Sequence, residues 1–214
     1  MYLSRVELDV TRRATMRALA APQKLHGAVE SAFPGERRRR LWRLDHWNGK
    51  LYLLLLSEDQ PNLLEISDQF GPVNRQGSTE IREYNQLLER IVPGSVWQFR
   101  LTANPTKSCA GEAGAEHRGK VLAHCTVEYQ EKWLLDRAEK HGFRLEPDGF
   151  TVTASRWLHF AKGGMQNRTV SLLSVTYEGV LQVTEPDLFR TLLTSGIGRG
   201  KAYGLGLMTV IHRG

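Results

Sequence analysis

His26 has Gln23 three residues before it and Glu30 four residues after it. On a helix those spacings place all three on one face, because positions three and four apart are neighbours. An imidazole titrates near neutrality. It can take a proton from a ribose 2′-hydroxyl or give one to a departing 5′-oxygen. Gly27 beside it leaves room for a ligand. The same spacing equally describes an ordinary surface histidine paired with Glu30.

A second candidate is the run GIGRGKAYGLGL, Gly196–Leu207. Its first eleven residues hold five glycines and two cations, Arg199 and Lys201, which is more than one tight turn requires. Glycine lets backbone N–H groups crowd against a phosphate, so Gly198 and Gly200 with Arg199 and Lys201 are candidate phosphate contacts. Two nucleotide motifs are excluded. A dinucleotide fingerprint needs a strand before it and a helix after it, whereas here a helix precedes and a strand follows. A P-loop needs Ser or Thr after Gly-Lys, and Ala202 stands there.

Other chemistries lack their residues. There is no CxxC around Cys109 and Cys125, no HExxH, no GxSxG and no catalytic carboxylate pair. No metal site or cofactor is expected, and any nuclease chemistry would be metal-free acid–base cleavage. Two cysteines without a framework fit a reducing cytosol. MYLSRVELDV has no signal-peptide run, and LYLLLL is too short to span a bilayer, so no membrane partner is expected.

The net charge of +6 and a sequence pI of about 9.5 favour an anionic partner. The cations cluster. Arg37–Arg40 precede a strand, and Lys107, Arg118 and Lys120 lie in a polar loop. Lys132, Arg137, Lys140 and Arg144 lie on or after a helix, and Arg156, Lys162 and Arg168 flank a hairpin tip. Charge runs are often no more than solvated faces. A paired RNA stem, however, is read through phosphates and 2′-hydroxyls, which suits the hairpin tip and the helix. The aromatic signature of single-strand sheet readers is missing, which argues against base stacking on a flat sheet.

These residues need elements to hold them. Tyr2–Val10 alternates as a strand. Pro22 opens a helix whose stripe is Leu25, Val29, Ala32 and Phe33, and Pro34-Gly35 stops it. Asn48-Gly49 joins Arg37–His46 to Lys50–Ser57 as a hairpin. A short helix covers Leu63–Phe70, and a strand lies within Glu80–Val92. This order is β-α-β-β-α-β, the ferredoxin-like arrangement. It recurs as a strand at Ser95–Ala103, a loop at Asn104–Lys120, a strand at Lys120–Val127 and a helix at Glu128–His141 ending in Gly142-Phe143. His141 there reads as a favourable contact with the helix dipole. Strands at Thr151–Phe160 and Val170–Val183 follow, then a capping signal at Thr184–Asp187, a helix to Ser195 and a strand at Leu205–His212. The fold class is α+β, two tandem ferredoxin-like (RRM-like) domains, residues 1–92 and 93–214.

MYLSRVELD, LHGAV around His26, FRLTANPTK at Phe99–Lys107, YEGVLQV at Tyr177–Val183 and GIGRGKAYGLGLM together resemble the CasE-type CRISPR repeat endoribonucleases of the RAMP superfamily. The resemblance spans nearly the whole chain in order. It implies two ferredoxin-like domains. It implies metal-independent cutting of precursor RNA at the 3′ base of the repeat hairpin, leaving a 2′,3′-cyclic phosphate. It also implies retention of the crRNA within the type I-E Cascade complex, beside the backbone RAMP subunit, in a prokaryotic cytoplasm. The family's catalytic histidine falls on His26. Two positions depart from relatives: a tyrosine of some members is Gln23 here, and a lysine is Ser31. An amide can hydrogen-bond a phosphate but cannot titrate, so Gln23 and Ser31 are helpers at most. A RAMP subunit that clamps guide RNA without cutting is the alternative.

Overall fold

A computed structural model describes residues 1–35, 38, 40–74, 76–109, 120–162 and 168–212, with the backbone alone at Lys162 and Arg168. The first half runs β1 (Tyr2–Leu8), α1 (Arg13–Leu19), α2 (Pro22–Ser31), β2 (Leu41–Trp47), β3 (Lys50–Ser57), α3 (Leu64–Phe70), β4 (Thr79–Glu83) and α4 (Asn85–Glu89). Its four strands form one antiparallel sheet in the order β2-β3-β1-β4, which is the ferredoxin-like order. The β2–β3 turn closes with Asn48 at φ 49° and Gly49 at φ 72°, the paired positive angles that match strand twist in a two-residue hairpin. Alternation in β1 and β3 sends Val6, Leu8, Leu53 and Leu55 to one face. There they meet Leu25 and Val29 of α2 and Ile66 and Phe70 of α3.

The second half repeats the plan with β5 (Val96–Ala103), β6 (Thr106–Ser108), β7 (Val121–Ala123), α5 (Val127–Ala138), β8 (Phe143–Arg144), β9 (Phe150–Lys162), β10 (Arg168–Val183), α6 (Pro186–Ser195) and β11 (Met208–His212). The sheet runs β11-β5-β10, with β9 and the short β8 both pairing β10. β6 and β7 make a separate ribbon. Trp97, Phe99, Leu101, Val175 and Tyr177 pack under Trp133 and Leu134 of α5 and Phe189 and Leu192 of α6. Leu41 and Leu56 of the first sheet join this same core. The halves are therefore joined by apolar packing as well as by chain.

Four expectations need correction, while the strand expected within Glu80–Val92 is found as β4, which ends at Glu83. Beyond it the chain turns helical, because Arg190 of α6 donates to the carbonyls of Leu88 (2.9 Å) and Ile91 (2.6 Å) and holds them in place. The polar loop from Asn104 contains β6. Of the rest, residues 110–119, including Arg118, lie outside the described residues. The helix after Thr126 is α-helical only to Ala138, and Glu139–His141 tighten into a 3-10 turn before Gly142 at φ 74°. No side chain caps α6. Pro186 opens it, and the Thr184 and Glu185 amides bond the Gly142 carbonyl. The last strand begins at Met208 instead of Leu205. Helix α1 is additional. Its Ala, Met, Arg and Leu are good helix formers, and Thr15 pins it by donating to the Phe70 carbonyl at 3.0 Å.

Candidate functional site

Helix α2 forms because Leu25, Ala28 and Val29 bury one face and Pro22 starts it at the first turn. The opposite face is left for His26, which is half-buried, and Gly27, which is exposed. A Cβ built on Gly27 would meet nothing within 4 Å, so the backbone beside the imidazole is open to a ligand. The pairing of His26 with Glu30 is corrected. The Glu30 carboxylate takes Arg40 at 2.9 Å, with both side chains largely buried. Arg40 in turn lies over the Phe33 ring at 4.0 Å.

Gln23 and Ser31 are both engaged. Gln23 donates its amide to the Ala161 carbonyl of β9 at 2.9 Å, which ties the start of α2 to the long hairpin of the other half. Its Oε1 is buried without a hydrogen-bond partner among the described residues. Ser31 donates to the Ala28 carbonyl at 3.0 Å. Gly27 also lines a notch of about 520 Å³ among α1, α2 and α3, together with Arg17, Lys24, Ser31 and Phe70. Sequence reasoning missed Arg17 and Lys24. The available signal was the seven-residue interval from Lys24 to Ser31, two helical turns on one face.

The glycine run is a joint between the halves. Gly204 has φ 79°, and a Cβ there would come within 2.6 Å of the Trp42 ring on β2. Gly196, φ 69°, stands likewise against Leu41, and Gly206 donates its N–H to the Thr102 carbonyl of β5 at 2.6 Å. Gly200 packs on Leu205. Lys201 donates to the Ser195 carbonyl at 2.7 Å, at the C-terminal end of α6 where a cation is favoured. Beside this joint, the buried Arg43 of β2 donates to the carbonyls of Arg100 (2.7 Å) and Leu207 (2.9 Å) and to Thr209 Oγ1 (2.8 Å). It also holds Asp45 with both arms of its fork. Packing therefore explains most of these glycines, while Tyr203, Gly204 and Leu205 line a small cavity beside Pro22 and Arg156, and Gly198 and Arg199 reach a larger groove.

That groove, about 650 Å³, is lined by Lys107 of β6, Lys132 and Arg137 of α5, and Gly198 and Arg199, together with His124, Tyr129, Trp133 and Asp136. Five of the sequence candidates thus converge from three separate segments. Asp136 is answered by Lys132 at 2.9 Å, so cations dominate the groove. Arg137 stacks over the Trp133 ring at 4.3 Å and donates to the Trp133 carbonyl at 3.0 Å, which fixes its guanidinium. Burial, then the Arg137 and Lys107 charges, hold the His124 pKa below the ordinary histidine value. Burial does the same to His141, assisted by Arg137 and Lys201, which is the opposite direction from the one a helix-dipole contact alone would give.

The remaining candidates lie elsewhere. Arg156 lines a second cleft, with His46, Arg100, Thr102 and Ser174, between the two sheets and α1. Lys140 sits in the 3-10 turn after α5, and the Lys120 carbonyl accepts the Cys109 N–H just before β7. Lys162 and Arg168 pair across the end of the β9–β10 hairpin through their backbones. Among the described residues, no three His, Cys, Asp or Glu side chains gather as metal ligands, and no helix is long and apolar enough to cross a membrane.

Fold and site together describe a double ferredoxin-like chain with a histidine-bearing helix in one half and a cationic groove in the other. The family model described as CRISPR associated protein matches residues 1–212, and the chain belongs to that family. It is 29% identical to the CRISPR-associated endoribonuclease Cse3 of Thermus thermophilus, over 98% of this chain and 99% of that protein. The structure of Thermus thermophilus Cse3 bound to an RNA representing a pre-cleavage complex superposes with a TM-score of 0.78 at 28% identity, covering 98% of each chain. The CRISPR-associated protein Cas6e from Escherichia coli K-12 shares the fold, with a TM-score of 0.69 at 21% identity over the full length of both chains.

Proposed function

We propose that this protein is a metal-independent endoribonuclease that cuts precursor CRISPR RNA at the base of the repeat stem-loop and keeps the mature crRNA as a Cascade subunit in the prokaryotic cytoplasm. Residues 1–92 form the domain carrying His26, and residues 93–214 form the domain that grips RNA. The observation that carries this reading is the half-buried His26 beside the open backbone of Gly27, on a chain matched end to end with an endoribonuclease.

The reaction is in-line attack of a ribose 2′-oxygen on the adjacent phosphorus. The P–O2′ bond forms and the P–O5′ bond breaks, leaving a 2′,3′-cyclic phosphate and a 5′-hydroxyl. His26 takes the 2′-hydroxyl proton, or returns a proton to the departing 5′-oxygen. Charge builds on the non-bridging oxygens as the bond order changes, and a nearby cation steadies it. Neither Gln23, committed to Ala161, nor Ser31, committed to Ala28, supplies a second titrating group. Phosphates of the RNA lie along Lys107, Lys132 and Arg199, with Lys120, Lys140, Arg156, Lys162, Arg168 and Lys201 as further candidate contacts.

The test is His26→Ala on a repeat hairpin in EDTA, with end-group analysis. Cleavage should fall by at least about a hundredfold while RNA binding stays near wild type. A hairpin with one 2′-deoxynucleotide at the cut site should bind and remain uncut. Wild-type cleavage rates from the alanine variant would overturn the assignment of His26, and absence of cleavage by the native protein would return the chain to a clamp.

A further inference from the structure

The cationic groove holds a feature that phosphate contacts do not use. Tyr129, in the first turn of α5, is 55% exposed, and its ring stacks on His124 with centroids 5.9 Å apart and planes 27° apart. The backbone under both rings is held. Thr126 caps α5 by accepting the Tyr129 N–H, and the fully buried Gln130 donates its amide to the carbonyls of His124 (3.0 Å) and Cys125 (3.3 Å) and to Ser155 Oγ (3.1 Å). The rings are therefore set in place before any ligand arrives. Trp133 lines the same groove, and its indole N–H has no acceptor among the described residues. Lys107 and Arg199 line it as well.

Bases inside a paired A-form stem are stacked on one another and offer no face to a protein ring. Exposed aromatic faces beside cations are the means by which proteins hold unpaired nucleotides. A volume of about 650 Å³ is in the range that takes a small organic ligand. Burial and the charges of Arg137 and Lys107 lower the His124 pKa, which disfavours a charged ring in this flat shelf.

We infer that this groove binds an unpaired nucleotide of the RNA next to its stem, with the base stacked on the Tyr129–His124 shelf and the phosphate between Lys107 and Arg199. The inference rests on the reading of the chain as a repeat-RNA binder and deepens it: the groove distinguishes a stem with an unpaired flank from a bare stem.

The experiment measures equilibrium binding of the full-length protein to three RNAs: a blunt repeat stem-loop, the same stem-loop with unpaired nucleotides on its 5′ side, and one with them on its 3′ side. Tyr129→Ala should weaken binding of one flanked RNA by about fivefold to a hundredfold and leave the blunt stem unchanged, while Tyr129→Phe should match wild type. If the alanine variant does not fold, Tyr129→Leu, which keeps bulk without a ring face, gives the same readout. In the native protein, an abasic site at the responsible flank position should cost as much as Tyr129→Ala, and the two losses together should not add. Equal loss on blunt and flanked RNAs would overturn the inference and make Tyr129 a stem contact. So would no loss on any of them. Failure of the native protein to bind the blunt stem-loop, or to cut the stem-loop with the 3′ flank, would count against the endoribonuclease reading, and the Tyr129 comparison on single-stranded flank RNA would still decide the groove.

Discussion

Helices α2 and α5 hold equivalent places in the two halves, each between the first strand of its sheet and the hairpin that follows. Their exposed faces have been put to opposite uses. Around His26 the surface of α2 is kept bare. Glu30 is withdrawn onto Arg40, Ser31 is folded back on its own helix, and Gly27 adds nothing above the backbone. The exposed side of α5 is crowded with Tyr129, Lys132, Asp136 and Arg137, with the Trp133 ring beneath the guanidinium. A reacting phosphate needs access and one well-placed proton carrier. Holding a polyanion needs many charges and flat surfaces. The two demands conflict on one helix. On the proposed reading, a two-part scaffold lets each helix meet one of them, provided that the halves stay in fixed register.

The largest effect is therefore expected from the joint that sets that register. Arg43 is 1% exposed and connects β2 to backbone carbonyls of β5 and of the segment before β11. Arg43→Ala would take two hydrogen bonds from Asp45, leaving it the Arg100 guanidinium at 3.7 Å, and would strand three acceptors where the halves meet. It should lower unfolding free energy by about 3–5 kcal/mol, the cost of leaving a buried pair half-made. Denaturant midpoints measure this. Arg43→Lys keeps the charge but loses the fork, and should recover only part of the loss. A midpoint unchanged by the alanine variant would mean that the apolar packing of Leu41, Leu56 and Trp42 holds the halves together without it.

What is readable from sequence follows the same division. The α2 stripe, the Asn48-Gly49 turn and the Gly142 helix end are legible because each depends on residues adjacent in sequence. The end of β4 is not, because α4 is held by Arg190, about a hundred positions away. His26 can be singled out but not isolated from Glu30, since the partner that removes Glu30 comes from outside the helix. The cations of the groove are visible as separate clusters. Nothing in their spacing says that Lys107 meets Arg199, or that Arg156 faces a different cleft. The glycine run is legible as unusual but not as a joint, because the ring it accommodates, Trp42, belongs to the other half.

A second experiment separates grip from chemistry. Replacing Lys107, Lys132 and Arg199 singly by Ala should weaken RNA binding. It should also reduce the steepness of log affinity against log salt by about 0.7–0.9 for each phosphate no longer neutralised. His26→Ala should leave that slope unchanged. A variant of the α5 groove that alters cleavage of bound RNA without altering the slope would break the proposed separation. Equal slope changes from His26→Ala would place the phosphate path over α2 instead.

The smallest effect concerns pH and sharpens the contrast from the side of α5. His124 and His141 flank this helix at its two ends, and burial and Arg137 lower both pKa values in the folded chain. Each is therefore neutral when folded at a pH where the unfolded chain has begun to take up a proton. The unfolded state binds more protons below the ordinary histidine value of about 6.5, so these two histidines add no pH dependence well above that value. Stability should decline as pH falls from about 6.5 toward the lowered folded values. Asp9 and Asp136, whose pKa values are also lowered, add a further decline only as pH falls below their ordinary 3.8. Thermal midpoints at about pH 8, 6.5 and 5 should show the first decline, and His141→Gln should reduce it, because the neutral amide has no proton to gain. An undiminished decline in that variant would move its source away from the cationic end of α5.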